Sequence, residues 1–158
     1  MQDAAESFRR QGRSIALVPT MGFLHEGHLS LIRKGRQIAD ILVVSVFVNP
    51  VQFGPGEDYE SYPRDPKRDS ELVENQDADF LFTPEKSELY PQGYESYITQ
   101  TDLPHHLCGI SRPVHFTGVM TVVAKLFNIV KPHYAVFGEK DYQQLAIIRK
   151  MASDLNFD

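Results

Sequence analysis

One segment, Ile41–Val48, constrains the fold of this chain more than any other part of the sequence. It reads ILVVSVFV, an almost continuous run of apolar and mostly β-branched residues. Such runs are typical of strands in parallel sheets, because helices cover both faces of the sheet and leave no position facing water. The segment therefore predicts a strand that is buried on both faces.

A shorter apolar segment, Ile15–Val18, lies upstream and predicts another buried strand. Between the two strands, Leu29, Ile32 and Ile38 recur near helical spacing, which predicts a helix over Glu26–Ile38. Strand, helix and strand in this order form a βαβ unit, for which a right-handed crossover is expected.

The remaining segments continue the alternation of helices and strands. They are, in chain order, a loop over Asn49–Pro66, a helix over about Pro66–Asn75, a strand within Ala78–Pro84, a weaker peripheral strand at Ser96–Thr101, an apolar helix over Thr117–Val130, a buried strand at Tyr134–Gly138 and a last helix over Asp141–Asp154. This order predicts an α/β fold with helices on both faces of the sheet.

Composition excludes several classes of protein. A length of 158 residues suits one domain, and a net charge of -5 argues against nucleic acid as a partner. No apolar run approaches the ~20 residues that a membrane helix needs, and the charged N-terminus lacks the apolar core of a secretory signal. The one cysteine, Cys108, cannot form an internal disulfide, which favours a reducing, cytoplasmic setting.

In open α/β sheets, ligands bind beyond the carboxyl ends of the strands. That edge should gather four segments, which are Thr20–His28, Asn49–Gln52, the residues from Thr83 onward, and Gly138–Asp141. Three of these four segments are rich in groups that can do chemistry.

Two histidines, His25 and His28, stand at the predicted start of a helix in PTMGFLHEGHLSLI. Unpaired backbone N–H groups and the helix dipole favour anions there, and imidazoles can donate hydrogen bonds to phosphate oxygens. Gly22 and Gly27 remove side-chain bulk, so a ligand can approach the backbone. For an isolated histidine, a helix cap or a solvent-facing residue is the favoured interpretation. A zinc site is less favoured, because no cysteine or further histidine lies near in sequence.

Other polar residues follow two of the predicted strands. In FGEKDYQQ, Lys140 could place a cation near phosphates, Asp141 suits an N-cap, and Gln144 lies one turn further along. In VNPVQF, Asn49 and Gln52 could bind hydroxyls and carboxylates. The alternatives are a solvated helix start for the first segment and turn chemistry for the second.

Two further residues, in SRPVHFTGV, precede the apolar helix. Arg112 could bind phosphate or tie down the loop, and His115 could be a packed residue behind the site. For both, the structural role is favoured.

Taken together, the motifs are far more specific than any one of them. PTMGFLHEGHLSLI resembles the HxGH signature of the class I aminoacyl-tRNA synthetase-like nucleotidyltransferases. The motifs LVPTMGFLHEGH, VSVFVNPVQFGPGED, YPRD, HFTGVMTVVAKLFNIVKP and FGEKDYQQL, in this order, resemble the pantoate–β-alanine ligase family. The resemblance runs from about Gly12 to Asn156.

The resemblance implies a Rossmann-like, doubly wound, mostly parallel sheet and a homodimer. It also implies a reaction in which ATP and pantoate form pantoyl adenylate and pyrophosphate, and β-alanine then gives pantothenate and AMP. Magnesium accompanies the phosphates. Such an enzyme makes no covalent link to its substrate, so it needs no nucleophilic serine or cysteine.

The resemblance also implies roles for individual residues. His28 acts on the phosphates, with a proposed proton-donor role, His25 assists it, and Lys140 is the cation of the second ATP segment. Gln52 and Gln144 hold pantoate. The residues implied for ATP are Met21, Gly22, Phe23, Leu24, His25, Glu26, Gly27, His28, Gly138, Glu139, Lys140 and Asp141.

Two further implications concern the second substrate and the metal. Gln52 borders the β-alanine site, and Asn49 lines that pocket. A carboxylate near Asp69 is a loose match for a magnesium ligand, so the metal ligands are left unassigned.

The chain departs from the family pattern at its end, DLNFD, where family members continue with another strand, a serine/arginine-bearing segment and a smaller lid domain. Residues 1–158 are therefore expected to form the N-terminal nucleotide- and pantoate-binding domain, which should fold but be nearly inactive alone. The alternatives are another adenylyl- or cytidylyltransferase, against which Gln52 and Gln144 argue, and a non-catalytic nucleotide-binding module.

Overall fold

A parallel four-stranded sheet forms the centre of the first of two units into which the chain divides. The computed structural model describes residues 1–157. The first unit comprises Met1–Val48, Pro63–Pro84 and Leu126–Gly138, and the second comprises Asn49–Tyr62, Glu85–Lys125 and the residues from Glu139 onward.

The strands of the sheet are β1 (Ile15–Thr20), β2 (Ile41–Val46), β3 (Phe80–Phe82) and β4 (Tyr134–Ala135). β1 pairs with β2 along its whole length, from Ile15 opposite Ile41 to Thr20 opposite Val46. Every residue from 15 to 18 and from 41 to 44 is at most 2% exposed. Since successive side chains of a strand point to opposite faces, both faces of this pair are buried, as predicted.

Three helices belong to the first unit, namely α1 (Gln2–Arg10), α2 (Glu26–Ile38) and α3 (Pro66–Glu74). α2 spans the predicted residues, and α3 ends one residue earlier than predicted. Buried residues of α2 and α3 join one face of the sheet in a single apolar cluster, which contains Ala16, Val18, Leu24, Ile32, Leu42, Val44 and Val73. α1 is not among the predicted helices, because its segment QDAAESFRR is mostly polar and charged and Ala5 is its one buried residue.

The second unit is built on helices and turns. Its helices are α4 (Lys86–Leu89), α5 (Cys108–Ser111), α6 (His115–Val130), whose last residues belong to the first unit, and α7 (Tyr142–Asp154). Single 3-10 turns occupy Pro50–Gln52, Leu103–His105 and Glu139–Asp141. Buried residues of this unit include Phe116, Met120, Leu145 and Ile148. Among residues 1–157, every helix falls short of the length and apolar character that crossing a membrane requires.

Two of the predicted strands differ from the structure. Ser96–Thr101 forms no strand, because side chains rather than a neighbouring strand hold it: Ile98 N donates to Thr121 Oγ1 at 3.0 Å, and Gln100 Nε2 donates to Ile147 O at 2.9 Å. The predicted buried strand at Tyr134–Gly138 is reduced to the two residues of β4, and both of them are exposed. β4 is an edge strand, so an apolar segment there is not covered on both sides.

The strand order reverses at β1. The chain runs outward from β1 through β2 to β3, and β4 is then added on the opposite side of β1. Ligands of open α/β sheets bind at such a reversal, beyond the carboxyl ends of the two strands that flank it. The segments that leave β1 and β4 are therefore the first places to look for a site.

Within the second unit, Gly118 of α6 is packed directly against the Pro50–Gln52 turn. A Cβ atom at Gly118 would lie 2.5 Å from both the Cα and N atoms of Gln52 and 2.6 Å from the carbonyl carbon of Val51. No real Cβ approaches backbone so closely, so only glycine lets the helix and the turn meet here.

We expect Gly118→Ala to lower the free energy of unfolding by about 1–3 kcal/mol, as overpacking does. Glycine to alanine inside a helix ordinarily gains about 1 kcal/mol, so a loss identifies the contact rather than helix propensity. Gly54→Ala is the matched control, because its Cβ would lie 3.6 Å from Val114 Cγ2, an ordinary contact. Urea unfolding of both variants measures the difference. Equal stability of the Gly118 variant and the unchanged chain would contradict the packing described.

Candidate active site

The segment that leaves β1, Met21–His28, is here called the nucleotide loop, after the role that the family resemblance implies for it. It follows Thr20, whose Oγ1 donates to Ser45 O at 2.8 Å and accepts from Gly22 N at 3.2 Å. Two successive residues then have left-handed backbone, with φ of 84° at Gly22 and 49° at Phe23. A Cβ at Gly22 would lie 2.9 Å from Asp69 Oδ2, so glycine serves both the conformation and the close approach.

Asp69, in the first turn of α3, holds the middle of the nucleotide loop. Its side chain is 2% exposed, and its two oxygens accept hydrogen bonds from two consecutive loop residues. Phe23 N donates to Oδ2 and Leu24 N to Oδ1, each at 2.8 Å. Both oxygens of this loosely matched magnesium candidate are thus engaged by the backbone.

His25 and His28 close the loop onto α2 as a reciprocal cap. His25 is the N-cap and its Nδ1 accepts from Gly27 N at 3.1 Å, while His28 Nδ1 accepts from His25 N at 3.3 Å. The two ring centroids lie 4.2 Å apart. Because Nδ1 of each ring accepts a hydrogen bond, the neutral form of each ring carries its proton on Nε2.

This geometry decides which groups of the loop can serve a ligand. The amides of Gly22, Phe23, Leu24, His25 and Gly27 already donate within the protein. The imidazole Nε2–H groups are further donors that the loop brings to the start of a helix, where the dipole favours anions. Capping and phosphate binding, which are alternatives in the sequence, are compatible functions of the two nitrogens of one ring.

A second group of polar residues lies around the Pro50–Gln52 turn. Asn49 is 1% exposed, and its Nδ2 donates to Gly118 O at 2.9 Å and to Gln52 Oε1 at 3.2 Å. Its Oδ1 accepts from Val51 N at 3.3 Å, which caps the turn. Asn49 is thus engaged with the protein itself and turns the carbonyl end of the Gln52 amide towards itself.

Arg112 and His115 fasten the same turn from outside. Arg112 forms a forked ion pair with Glu57, at 3.1 Å from Nε to Oε1 and 2.9 Å from Nη2 to Oε2. This guanidinium holds the pKa of the Glu57 carboxyl below its ordinary value. His115 Nδ1 lies 3.1 Å from Gln52 O, so it is the protonated ring nitrogen and donates there. Burial lowers the pKa of His115, which favours this neutral form.

The remaining candidates lie where the chain leaves β4 and enters α7. Gly138 lies beside α2 in the first unit, since a Cβ there would be 3.8 Å from Leu31 Cδ1. Glu139, Lys140 and Asp141 form an exposed 3-10 turn in the second unit. Asp141 is the N-cap position of α7, as predicted, although its side chain makes no capping hydrogen bond. Gln144 is half-buried in the first turn of that helix.

The predicted site residues therefore form two groups, one in each unit. The first unit brings together Met21–His28 and Gly138, and the second contains Asn49, Gln52, Glu139–Asp141 and Gln144. Among residues 1–157, no three histidine, cysteine or acidic side chains are arranged to hold a metal ion.

Two residues that shape these groups are harder to find from the sequence. An isolated glycine in an apolar helical pattern, such as Gly118, signals close packing but does not name its partner. Asp69 stands in YPRDPKRDS among other charges, and nothing in the spacing shows that it is buried. The capping box is visible in the sequence once a histidine pair three residues apart is read as N-cap and N3.

The sequence of this chain is similar to that of known proteins over its whole length. The family model described as pantoate-beta-alanine ligase matches residues 1–158. The pantothenate synthetase of Desulfatibacillum aliphaticivorans is 57% identical over 99% of this chain and 56% of its own length. That of Geobacter sulfurreducens is 58% identical over 100% of this chain and 56% of its own length. The chain thus spans little more than half the length of these relatives.

Solved structures agree with the sequence comparison. A crystal structure of pantothenate synthetase from Thermus thermophilus superposes with a TM-score of 0.90 at 47% identity, covering 97% of this chain and 56% of that one. Pantoate-beta-alanine ligase from Francisella tularensis, complexed with beta-gamma ATP and beta-alanine, also gives a TM-score of 0.90, at 41% identity over 98% of this chain and 61% of that one.

The fold class and the resemblance derived from the sequence motifs are both confirmed by these matches. The family model covers every residue, and the structural match extends over nearly all of them. The chain belongs to the pantoate–β-alanine ligase family.

Proposed function

We propose that this chain binds ATP and pantoate as part of an enzyme that condenses pantoate with β-alanine. The observation that carries the proposal is the reciprocal cap of His25 and His28. It engages both Nδ1 atoms with the backbone and so puts the ring protons on Nε2 at the start of α2. A site that adenylates a carboxylate needs such donors, because negative charge on the phosphates must be stabilised as the bonds change.

The reaction has two steps. A carboxylate oxygen of pantoate attacks the α-phosphorus of ATP, a new O–P bond forms, and the bond to the bridging oxygen breaks to release pyrophosphate. The amine of β-alanine then attacks the acyl carbon, and AMP leaves with the electrons of the acyl–oxygen bond. His28 donates to the phosphates, His25 assists, and Lys140 contributes a cation.

Pantoate recognition is assigned to the two glutamines, Gln52 and Gln144, whose amides can pair with hydroxyl and carboxylate groups. The buried turn supports this assignment for Gln52, because Asn49 and His115 hold its side-chain oxygen and its backbone carbonyl. A preformed amide loses little conformational freedom on binding. Asn49 is then an orienting residue at the border of the β-alanine site, with Gln52 between it and the substrate.

Magnesium enters this proposal with the nucleotide. Mg²⁺ is commonly held by substrate phosphates and one or two carboxylates rather than by a cage of protein ligands, which fits a chain without a three-ligand cluster in residues 1–157. When bound, it neutralises phosphate charge.

We also propose a homodimer and a cytoplasmic location. The free, exposed thiol of Cys108 supports the location, because a reducing compartment preserves it.

The assay protein is a chimera in which this chain replaces the matching 56% of the Geobacter sulfurreducens enzyme. Pyrophosphate release that depends on pantoate, followed by pantothenate formation that depends on β-alanine, tests the proposed function. Release of pyrophosphate with no dependence on pantoate would contradict it.

We expect His28→Ala in the chimera to slow adenylation by about 2–4 kcal/mol in activation free energy, the scale of one lost oxyanion donor. His28→Gln is the control, since glutamine at N3 preserves the capping acceptor but not the imidazole N–H. The glutamine variant should recover thermal stability, and any rate that it recovers measures how far an amide N–H replaces the imidazole N–H. A near-normal rate in His28→Ala would remove His28 from the mechanism.

We expect Gln144→Ala to weaken pantoate binding by about 1 kcal/mol, the scale of one net hydrogen bond, and to leave ATP binding unchanged. Separate KM values for the two substrates, measured in the chimera, make ATP the internal control. Normal pantoate binding with impaired ATP binding would reverse the assignment.

We expect the 158-residue chain alone to bind ATP but to form pantothenate ~100-fold or more slowly than the chimera, the scale of imperfect substrate placement. The physical reason is water: the half of the relative that this chain does not match is left out of this assay, so solvent weakens each contact to the phosphates. Parallel assays of the two proteins at equal concentration measure the ratio. Comparable rates would show that these residues suffice for catalysis.

A further inference from the structure

Asp69 is a buried carboxylate to which the chemistry above assigns no role. We propose that it is a positioning residue, which holds the nucleotide loop in the one conformation that presents His25 and His28 to a phosphate group. The inference rests on the proposed function for what the loop binds, but the holding of the loop is a property of the chain itself.

The carboxylate of Asp69 fits the backbone of the nucleotide loop. The N–H groups of Phe23 and Leu24 point to the two oxygens of one side chain, each at 2.8 Å. Hydrogen bonds to an ionised acceptor are stronger than neutral ones, and this pair is shielded from water, since Asp69 is 2% exposed. One side chain thus fixes two consecutive peptide groups.

The backbone that Asp69 holds has an uncommon conformation at Phe23. Phe23 has a φ of 49°, a region that residues with a Cβ seldom adopt. Its ring is 47% exposed, so side-chain burial holds it only weakly. A conformation of this kind persists where the surroundings impose it. The carboxylate of Asp69 is the group that does so.

The two residues held by Asp69 lead directly into the histidine cap. Leu24, fully buried, is followed at once by His25, the N-cap that accepts from Gly27 and donates to His28. A rotation of the peptide groups at 23 and 24 would move the His25 backbone and break the reciprocal cap. The positions of both imidazoles therefore depend on Asp69, which acts on them through the loop backbone.

Asp69 is itself held firmly. Its N–H donates to Asp65 O at 2.9 Å, and Asp65 Oδ1 caps α3 by accepting from Arg68 N at 3.1 Å. Val73, one turn further along, is 2% exposed in the apolar cluster of the sheet. A carboxylate in the first turn of a helix is also favoured by the helix dipole. Through α3, Asp69 thus anchors the loop to the core of the first unit.

The test compares three forms of the 158-residue chain: unchanged, Asp69→Asn and Val73→Ala. Asparagine keeps the shape but replaces one acceptor by a donor, so one loop N–H loses its partner. Val73→Ala is the control for lost stability, because it truncates a buried side chain of the same helix without removing a hydrogen bond to the loop. Two quantities are measured: hydrogen exchange of the Phe23 and Leu24 amides, and the Kd of ATP by calorimetry with and without Mg²⁺.

We expect Asp69→Asn to accelerate exchange at both amides, and to weaken ATP binding, by about tenfold or more, the scale of a lost charge-assisted hydrogen bond. Val73→Ala should leave the Kd of ATP unchanged. It should accelerate exchange of the two amides no more than its loss of global stability accounts for. Protected amides, or unchanged ATP affinity, in Asp69→Asn would overturn the proposal. A loss of ATP affinity that occurs only in the presence of Mg²⁺ would also overturn it, because Asp69 would then be a metal ligand. If the unchanged chain binds no ATP, the proposed function fails, and amide exchange alone decides whether Asp69 holds the loop.

Discussion

The pairing of β1 with β2 is the constraint on which the first unit depends. Six residue pairs join the two strands, and the side chains on both of their faces are buried. A shift of register by one residue would exchange the side chains of the two faces, so the pairing fixes where β1 ends. The nucleotide loop begins at that end, tied by Thr20 to Ser45 of the neighbouring strand. The position of the histidines is thus inherited from the sheet.

The second unit reaches a comparable precision by a different route. A helix presses its one bare position, Gly118, against the backbone of a turn, and Asn49 joins the two with hydrogen bonds. Arg112, Glu57 and His115 close the turn from the other side. Sheet geometry positions the two histidines assigned to phosphate, whereas side-chain hydrogen bonds and close packing position Gln52, assigned to pantoate.

The sequence predicts the structure correctly where a single physical signal dominates. The apolar runs of β1 and β2 and the periodicity of α2 could be read directly, because burial on both faces or on one stripe leaves a plain pattern. The peripheral strand at Ser96–Thr101 could not, since its β-forming residues are held by Thr121 and by α7 instead of by another strand. Asp69 was equally inaccessible, because its importance lies in contacts with residues 45 and 46 positions away in the chain.

Under the proposed function, the two histidines of the reciprocal cap are under two separate selections, one for folding and one for ligand binding. Helix capping alone would accept asparagine, serine or aspartate at position 25 and glutamine or glutamate at position 28. A population of variants sorted only for folding would therefore drift towards those residues, while, under the proposed function, chimeras sorted for growth without supplied pantothenate would keep both imidazoles. The difference between the two populations at these positions would separate what the fold requires from what the ligand requires, without any measurement on a purified protein.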